Sequence, residues 1–97
     1  MERNQVLATL RAHQDDLERL GVDHLFLFGS VARNEAGASS DVDLFFDYSN
    51  SAFSLIELVN VQQSLAGMLG RRADVMTRAS LHPVLRPNIE QSAVQVF

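Results

Sequence analysis

Two aspartates one residue apart, Asp41 and Asp43 in "SDVDLFF", and a third acid, Asp74 in "RRADVMT", are the side chains whose spacing could do chemistry. In an extended strand, side chains alternate between faces, so Asp41 and Asp43 point one way while Val42, Leu44 and Phe46 point into the core. Carboxylates sharing a surface repel and raise one another's pKa unless a cation lies between them. Asp74, between Ala73 and Val75, repeats the acid-between-apolars pattern, so neighbouring strands would converge three carboxylates. Hard oxygen donors without His or Cys nearby favour Mg2+ or Mn2+ over zinc. A calcium EF-hand reading fails, because the loop glycine is missing and Ala52, in the last ligand position, has no donor.

Upstream of the acids stands a Gly-Ser pair. Gly29 lets backbone approach a ligand closely, and Ser30, read as the N-cap of a short helix, offers a hydroxyl and free backbone N–H groups to phosphate oxygens. Each feature alone has a bland explanation, a solvated strand face for the acids and a capped turn for Gly-Ser. Together, a phosphate cradle beside a carboxylate metal site is equipment for attack on a nucleotide phosphorus.

The elements that must position these groups follow from periodicity. Val6, Leu10, Leu17 and Leu20 recur near the helical period, with Gly21 placed to end that helix in a left-handed cap. "VDHLFLFGS" reads as a buried strand, "SVARNE" as a short helix, "AGASS" as loop, and "DVDLFFDY" as the second strand. Ser54 to Glu57 has capping-box spacing, and Leu55, Ile56, Val59, Ala66 and Leu69 follow as the buried face of a helix closed by Gly70. "RRADVMT" is the third strand, and a terminal helix follows with Pro87 in its first turn and an apolar stripe of Ile89, Ala93, Val94 and Phe97. The class is α/β, a small mixed three-stranded sheet with flanking helices. The Phe residues at 26, 28, 45 and 46 are assigned to the core.

Composition removes whole classes of function. The 97 residues, 46% hydrophobic, make one compact domain over 1–97. No run is long enough to span a membrane and the first residues do not read as a signal peptide, so a soluble, cytoplasmic protein is expected. Cysteine is absent, which excludes disulfides and thiolate chemistry; lysine is also absent, which excludes Schiff bases and a Walker A lysine. A net charge of −4 argues against direct nucleic-acid binding. His13, His24 and His82 lack ligand spacing and receive no role.

The stretch "GSVARNEAGASSDVDLFF" resembles the signature of polymerase-β-type nucleotidyltransferases: Gly-Ser, then Ala-Arg-Gly, a loop, and Ser-Asp-x-Asp-Leu. "LGRRADVMT" is similar to that family's helix end and third strand, and the short length is most similar to the minimal nucleotidyltransferases, which commonly act as antitoxins beside a HEPN-domain toxin. The resemblance implies the nucleotidyltransferase fold, with Gly29 and Ser30 binding the triphosphate of a nucleotide such as ATP. It implies Asp41 and Asp43 as ligands of two Mg2+ or Mn2+ ions, and Asp74 as a ligand of the catalytic ion that also helps activate the acceptor hydroxyl. Arg33 is the motif's arginine, either a phosphate contact or an ion pair with Glu35 or Asp47. Asn34 departs from the usual glycine, though Asn tolerates the left-handed conformation better than most residues.

The implied function is AMP transfer from ATP to a tyrosine of a partner HEPN toxin. Neutralisation by binding alone and modification of a small molecule remain as alternatives. A chain this short has no room for a separate substrate domain, so an acceptor site would be completed by a partner or by a homo-oligomer.

Overall fold

The computed structural model describes residues 2–37 and 40–97; Ala38 and Ser39 of the expected "AGASS" loop lie outside the described residues. The element order is α1 (Arg3–Ala12), α2 (Gln14–Arg19), β1 (His24–Phe28), α3 (Gly29–Ala32), β2 (Val42–Asp47), α4 (Leu55–Leu69), β3 (Ala73–Thr77), a 3-10 turn (Arg78–Ser80), α5 (Arg86–Ser92) and β4 (Val94–Gln95). The sheet runs β3-β2-β1-β4, with β2 and β3 parallel and the other pairs antiparallel. This is a mixed α/β fold.

The sheet has four strands where three were expected. Val94 and Gln95, assigned from the sequence to the terminal helix, instead pair with Leu27 and Phe26. The pairing continues through Val96 N–H to Leu25 O at 2.7 Å and Leu25 N–H to Phe97 O at 3.3 Å. A strand of two residues is too short to display a period of two, and the apolar content of this tail fits helix and strand alike.

Alternation along the strands divides the sheet into unlike faces. Leu25 and Leu27, Val42, Leu44 and Phe46, and Val75 turn to one side and pack against Val6, Leu7 and Leu10 of α1, Leu17 of α2, and Val61, Leu65 and Leu69 of α4. Each such fully buried aliphatic side chain contributes about 1.5–3 kcal/mol through removal from water. The opposite face carries Phe26, Phe28, Asp43, Phe45, Asp74 and Met76. Of the four phenylalanines assigned to the core, only Phe46 joins the main cluster; Phe45 is fully buried on the other face, stacked on Phe26 at 4.8 Å between ring centroids.

The first helix is interrupted at His13, whose Nδ1 lies 2.8 Å from the Thr9 carbonyl oxygen, so the one expected helix becomes α1 and α2. Gly21 does adopt a positive φ of 105° beyond α2. In α4 the expected Ser54–Glu57 capping box forms, with Ser54 N–H donating to Glu57 Oε2 at 2.8 Å, and Gly70 ends the helix in the left-handed region at φ 65°. The buried face of α4 is rotated from the expected one. Leu55 and Ile56 are both 73% exposed and Val59 is also exposed, while Val61, Leu65 and Leu69 face the sheet.

Truncating Leu65 to Ala is expected to cost about 2–5 kcal/mol, whereas Ile56→Ala should stay within about 0.5 kcal/mol of wild type. Urea unfolding of the two variants measures both; an Ile56 cost as large as that of Leu65 would contradict this orientation of α4.

Candidate active site

Because β1 and β2 are antiparallel, the end of β1 lies beside the start of β2, and Phe28 pairs with Asp43. Because β2 and β3 are parallel and in register, Asp43 stands directly opposite Asp74. The turn after β1 and two carboxylates therefore form a row across three neighbouring strands, on the face turned away from the main core.

Gly29 is required here for two reasons. Its φ of 75° lies in the region that L side chains avoid, and a Cβ at this position would sit 2.2 Å from Asp43 Oδ2. The close approach inferred for Gly29 is thus made to the Asp43 carboxylate. Ser30 is not an N-cap but the second residue of α3, with Phe28 in the cap position. Its carbonyl accepts the Glu35 N–H at 2.8 Å, which closes the turn. The first N–H groups of α3 lack intrahelical partners, as in any helix.

The Asp43 carboxyl is pushed above the ordinary aspartate range, first by its burial and then by the negative charges of Asp74 and Asp41; the Arg33 charge opposes this in part. Asp41 precedes β2 and is partly exposed, and its Oδ1 lies 3.7 Å from Arg72 Nε. Arg33 is paired with Glu35 at 3.1 Å. Asp47, the other acid considered for it, is held by Arg78. Asn34 adopts φ 58°, the left-handed conformation that glycine would take, and its Oδ1 accepts the Arg3 N–H at 3.3 Å. The start of α1 is thereby tied to the turn that carries Gly29 and Ser30.

Among the described residues, no three carboxylate or imidazole side chains are gathered into a ready cage for a metal ion. Asp43 and Asp74 are brought together, while Asp41 turns toward Arg72. This donor set fits Mg2+ or Mn2+ in the manner of nucleotide enzymes, where one or two carboxylates are joined by water and substrate phosphate oxygens.

Reasoning from sequence missed the two arginines flanking the acids. Arg72 pairs with Asp41, and Arg71 Nη2 donates to the carbonyl oxygens of Ser40 and, at 3.4 Å, Gly37, which ties the end of α4 to the segment entering β2. Their signal was the Arg-Arg run immediately before the third acidic strand.

The family model described as a nucleotidyltransferase domain matches residues 10–96. The chain belongs to the nucleotidyltransferase domain family. A Methanocaldococcus jannaschii protein provisionally named a protein adenylyltransferase is 40% identical over 77 residues, 79% of this chain and 82% of that protein. "Protein adenylyltransferase MntA" of Thermococcus cleftensis is 32% identical over 93 residues, 95% of this chain and 93% of its own length. A solved structure provisionally described as a minimal nucleotidyltransferase superposes with TM-score 0.76 at 33% identity, covering 97% of this chain and 95% of the other. A complex of a tri-AMPylated Shewanella oneidensis HEPN toxin with an MNT antitoxin shares the fold at TM-score 0.59 and 18% identity, over 89% of this chain and 70% of the matched one. The nucleotidyltransferase described here is thus an enzyme of this family, with its carboxylates and Gly-Ser turn at the junction of β1, β2 and β3.

Asp43 holds its proton more tightly in the folded state than in the unfolded one. Its contribution to stability is therefore most favourable in acid and is lost as pH rises through the raised folded value. Metal-free Asp43→Asn should melt at a higher temperature than wild type near neutral pH, with the gap shrinking toward acid. Adding Mg2+ or Mn2+ should raise the wild-type melting temperature and leave the variant nearly unchanged. Scanning calorimetry across pH checks both; a variant less stable than wild type at neutral pH would show that burial and like charge do not disfavour the ionised Asp43.

Proposed function

We propose that this nucleotidyltransferase transfers AMP from ATP to a hydroxyl, that of a tyrosine on a partner HEPN-domain toxin, and thereby acts as the antitoxin of the pair. The observation that carries the reading is the Asp43 carboxylate packed against the Gly29 turn with Asp74 in register beside it. The relatives named as protein adenylyltransferases and the tri-AMPylated HEPN toxin bound to an MNT antitoxin support the choice of AMP and of a protein acceptor.

In this mechanism, the α3 N–H groups and the Ser30 hydroxyl hold the outer phosphates of ATP, with the Arg33 charge in support. Asp41, Asp43 and Asp74 would hold Mg2+ or Mn2+, which when bound neutralises phosphate charge and lowers the pKa of the acceptor hydroxyl. The acceptor oxygen attacks the α-phosphorus. A new P–O bond forms, the bond from that phosphorus to the bridging oxygen of the β-phosphate breaks, and pyrophosphate leaves with the electron pair. The acceptor proton passes to the Asp74 carboxylate and on to solvent.

Asp43→Asn should retain the complex with the toxin and lower transfer by about a hundredfold or more. Co-expression with the toxin, followed by intact-mass analysis and a growth assay, is the test. The expected result is a complex without added AMP mass and renewed growth inhibition. Protection of the cells by the mutant with an unmodified toxin would establish neutralisation by contact instead.

ATP affinity measured by calorimetry should require Mg2+ or Mn2+ and should weaken in Ser30→Ala without a large change in melting temperature. Equal affinity in excess EDTA would remove the metal from the site.

A further inference from the structure

The parallel ladder of β2 and β3 opens with Val42 opposite Ala73, and the Val42 N–H donates to the Arg72 carbonyl oxygen at 3.0 Å. Asp41 and Arg72 therefore enter the sheet side by side, two residues ahead of Asp43 and Asp74. Strand alternation returns each side chain to the same face after two residues, so Arg72 shares the carboxylate-bearing face with Asp74, as Asp41 does with Asp43. Two contacts agree with this placement: Arg72 Nε lies 3.7 Å from Asp41 Oδ1, and the Asp41 charge is felt at the Asp43 carboxyl. The site is thus a like-charged pair, Asp43 with Asp74, followed at the open end of the strands by an oppositely charged pair, Asp41 with Arg72.

The second pair is not built as a structural bridge. Its single nitrogen–oxygen contact is longer than the 2.7–2.9 Å usual for a charge-assisted hydrogen bond, and the Arg72 side chain is 90% exposed. Exposed pairs of this kind contribute little to stability. The neighbouring arginines are held more closely: Arg71 donates to the Ser40 and Gly37 carbonyl oxygens, and Arg33 meets Glu35 at 3.1 Å. Among the described residues, the one ionic partner of Arg72 is Asp41, which is also a carboxylate assigned above to a divalent ion. One oxygen cannot serve both, because the ion and the guanidinium repel each other. Ion and arginine therefore compete for Asp41, and each weakens the hold of the other by the same factor. Once displaced, the guanidinium stands beside an ion whose remaining ligands are water and phosphate oxygens, and its planar fork matches phosphate geometry.

We propose that Arg72 is a nucleotide-binding residue of this site: it rests on Asp41 until a divalent ion takes that carboxylate, and then binds the phosphates that arrive with the ion. The inference rests on the AMP-transfer reading above and adds to its nucleotide site a residue outside the Gly-Ser turn and the three acids. While the ion is absent, the arrangement keeps Asp41 from adding its full charge to that of Asp43 and Asp74.

Arg72→Gln and Arg72→Lys test the exchange against wild type, using two titrations followed by calorimetry. The first adds Mn2+ to metal-free protein without nucleotide. The second adds, in saturating Mn2+, an ATP analogue whose α- and β-phosphorus are joined by a methylene and which cannot give up AMP. Arg72→Gln should bind Mn2+ about two- to fivefold more tightly, since a competing cation is gone, and the analogue about tenfold or more weakly. Arg72→Lys keeps the charge, so its Mn2+ affinity should stay within about twofold of wild type, while part of the analogue affinity is lost with the fork. A merely structural role does not move the two affinities in opposite directions. In a variant that melts like wild type, an unchanged Mn2+ affinity or an unchanged analogue affinity overturns the role of Arg72 and leaves AMP transfer standing. A wild type that binds no Mn2+ overturns this inference together with the metal site. A wild type that transfers no AMP, with the variants shifting as expected, overturns the AMP-transfer reading and leaves Arg72 in place.

Discussion

A carboxylate held where its charge is disfavoured is the constraint on which this molecule turns. Asp43 is partly buried, lies against the backbone of Gly29, and faces Asp74 across a parallel strand pair. Burial and like charge both work against its ionised form. A fold tolerates such an arrangement only where the surrounding structure is over-determined, and here the strands on either side of Asp43 are fixed by a continuous aliphatic core beneath them.

The division of the sheet into two faces separates stability from chemistry. Leu25, Leu27, Val42, Leu44, Phe46 and Val75 supply the core side, covered by α1, α2 and α4. The other side carries the acids at one end and an aromatic cluster capped by Arg78 at the other. Strand alternation places both sets with a single register, so a slip of one residue in β2 would exchange Asp43 for Leu44 and cost core and site together. The peripheral ties follow the same logic: Asn34 joins α1 to the Gly29–Ser30 turn, Arg71 joins α4 to the approach to β2, and Arg78 joins α5 to the sheet.

What the amino-acid order determined by itself was local. Asp-x-Asp in an apolar strand dictates that both acids share a face, Gly-Ser at a strand end dictates a tight turn, and Ser54 with Glu57 dictates a helix start; each depends on neighbours within a few residues. Those features sufficed for the resemblance to nucleotidyltransferases, and the α/β class followed from the order of elements. The tertiary structure decided whatever depended on distant partners. Val94 and Gln95 are a strand because β1 offers them an unpaired edge, which nothing in their own pattern announces. The face of α4 was misread because Leu55, Ile56 and Val59 are apolar yet point away from the sheet, and composition cannot tell which side of a helix its neighbours occupy. Asp41 turning to Arg72, and Arg78 binding Asp47 and Glu90 while lying on two phenylalanine rings, join residues far apart in the chain. Such pairings become physical only once the sheet has brought their backbones within reach, because a charged side chain has no preferred partner until the fold removes the alternatives offered by water.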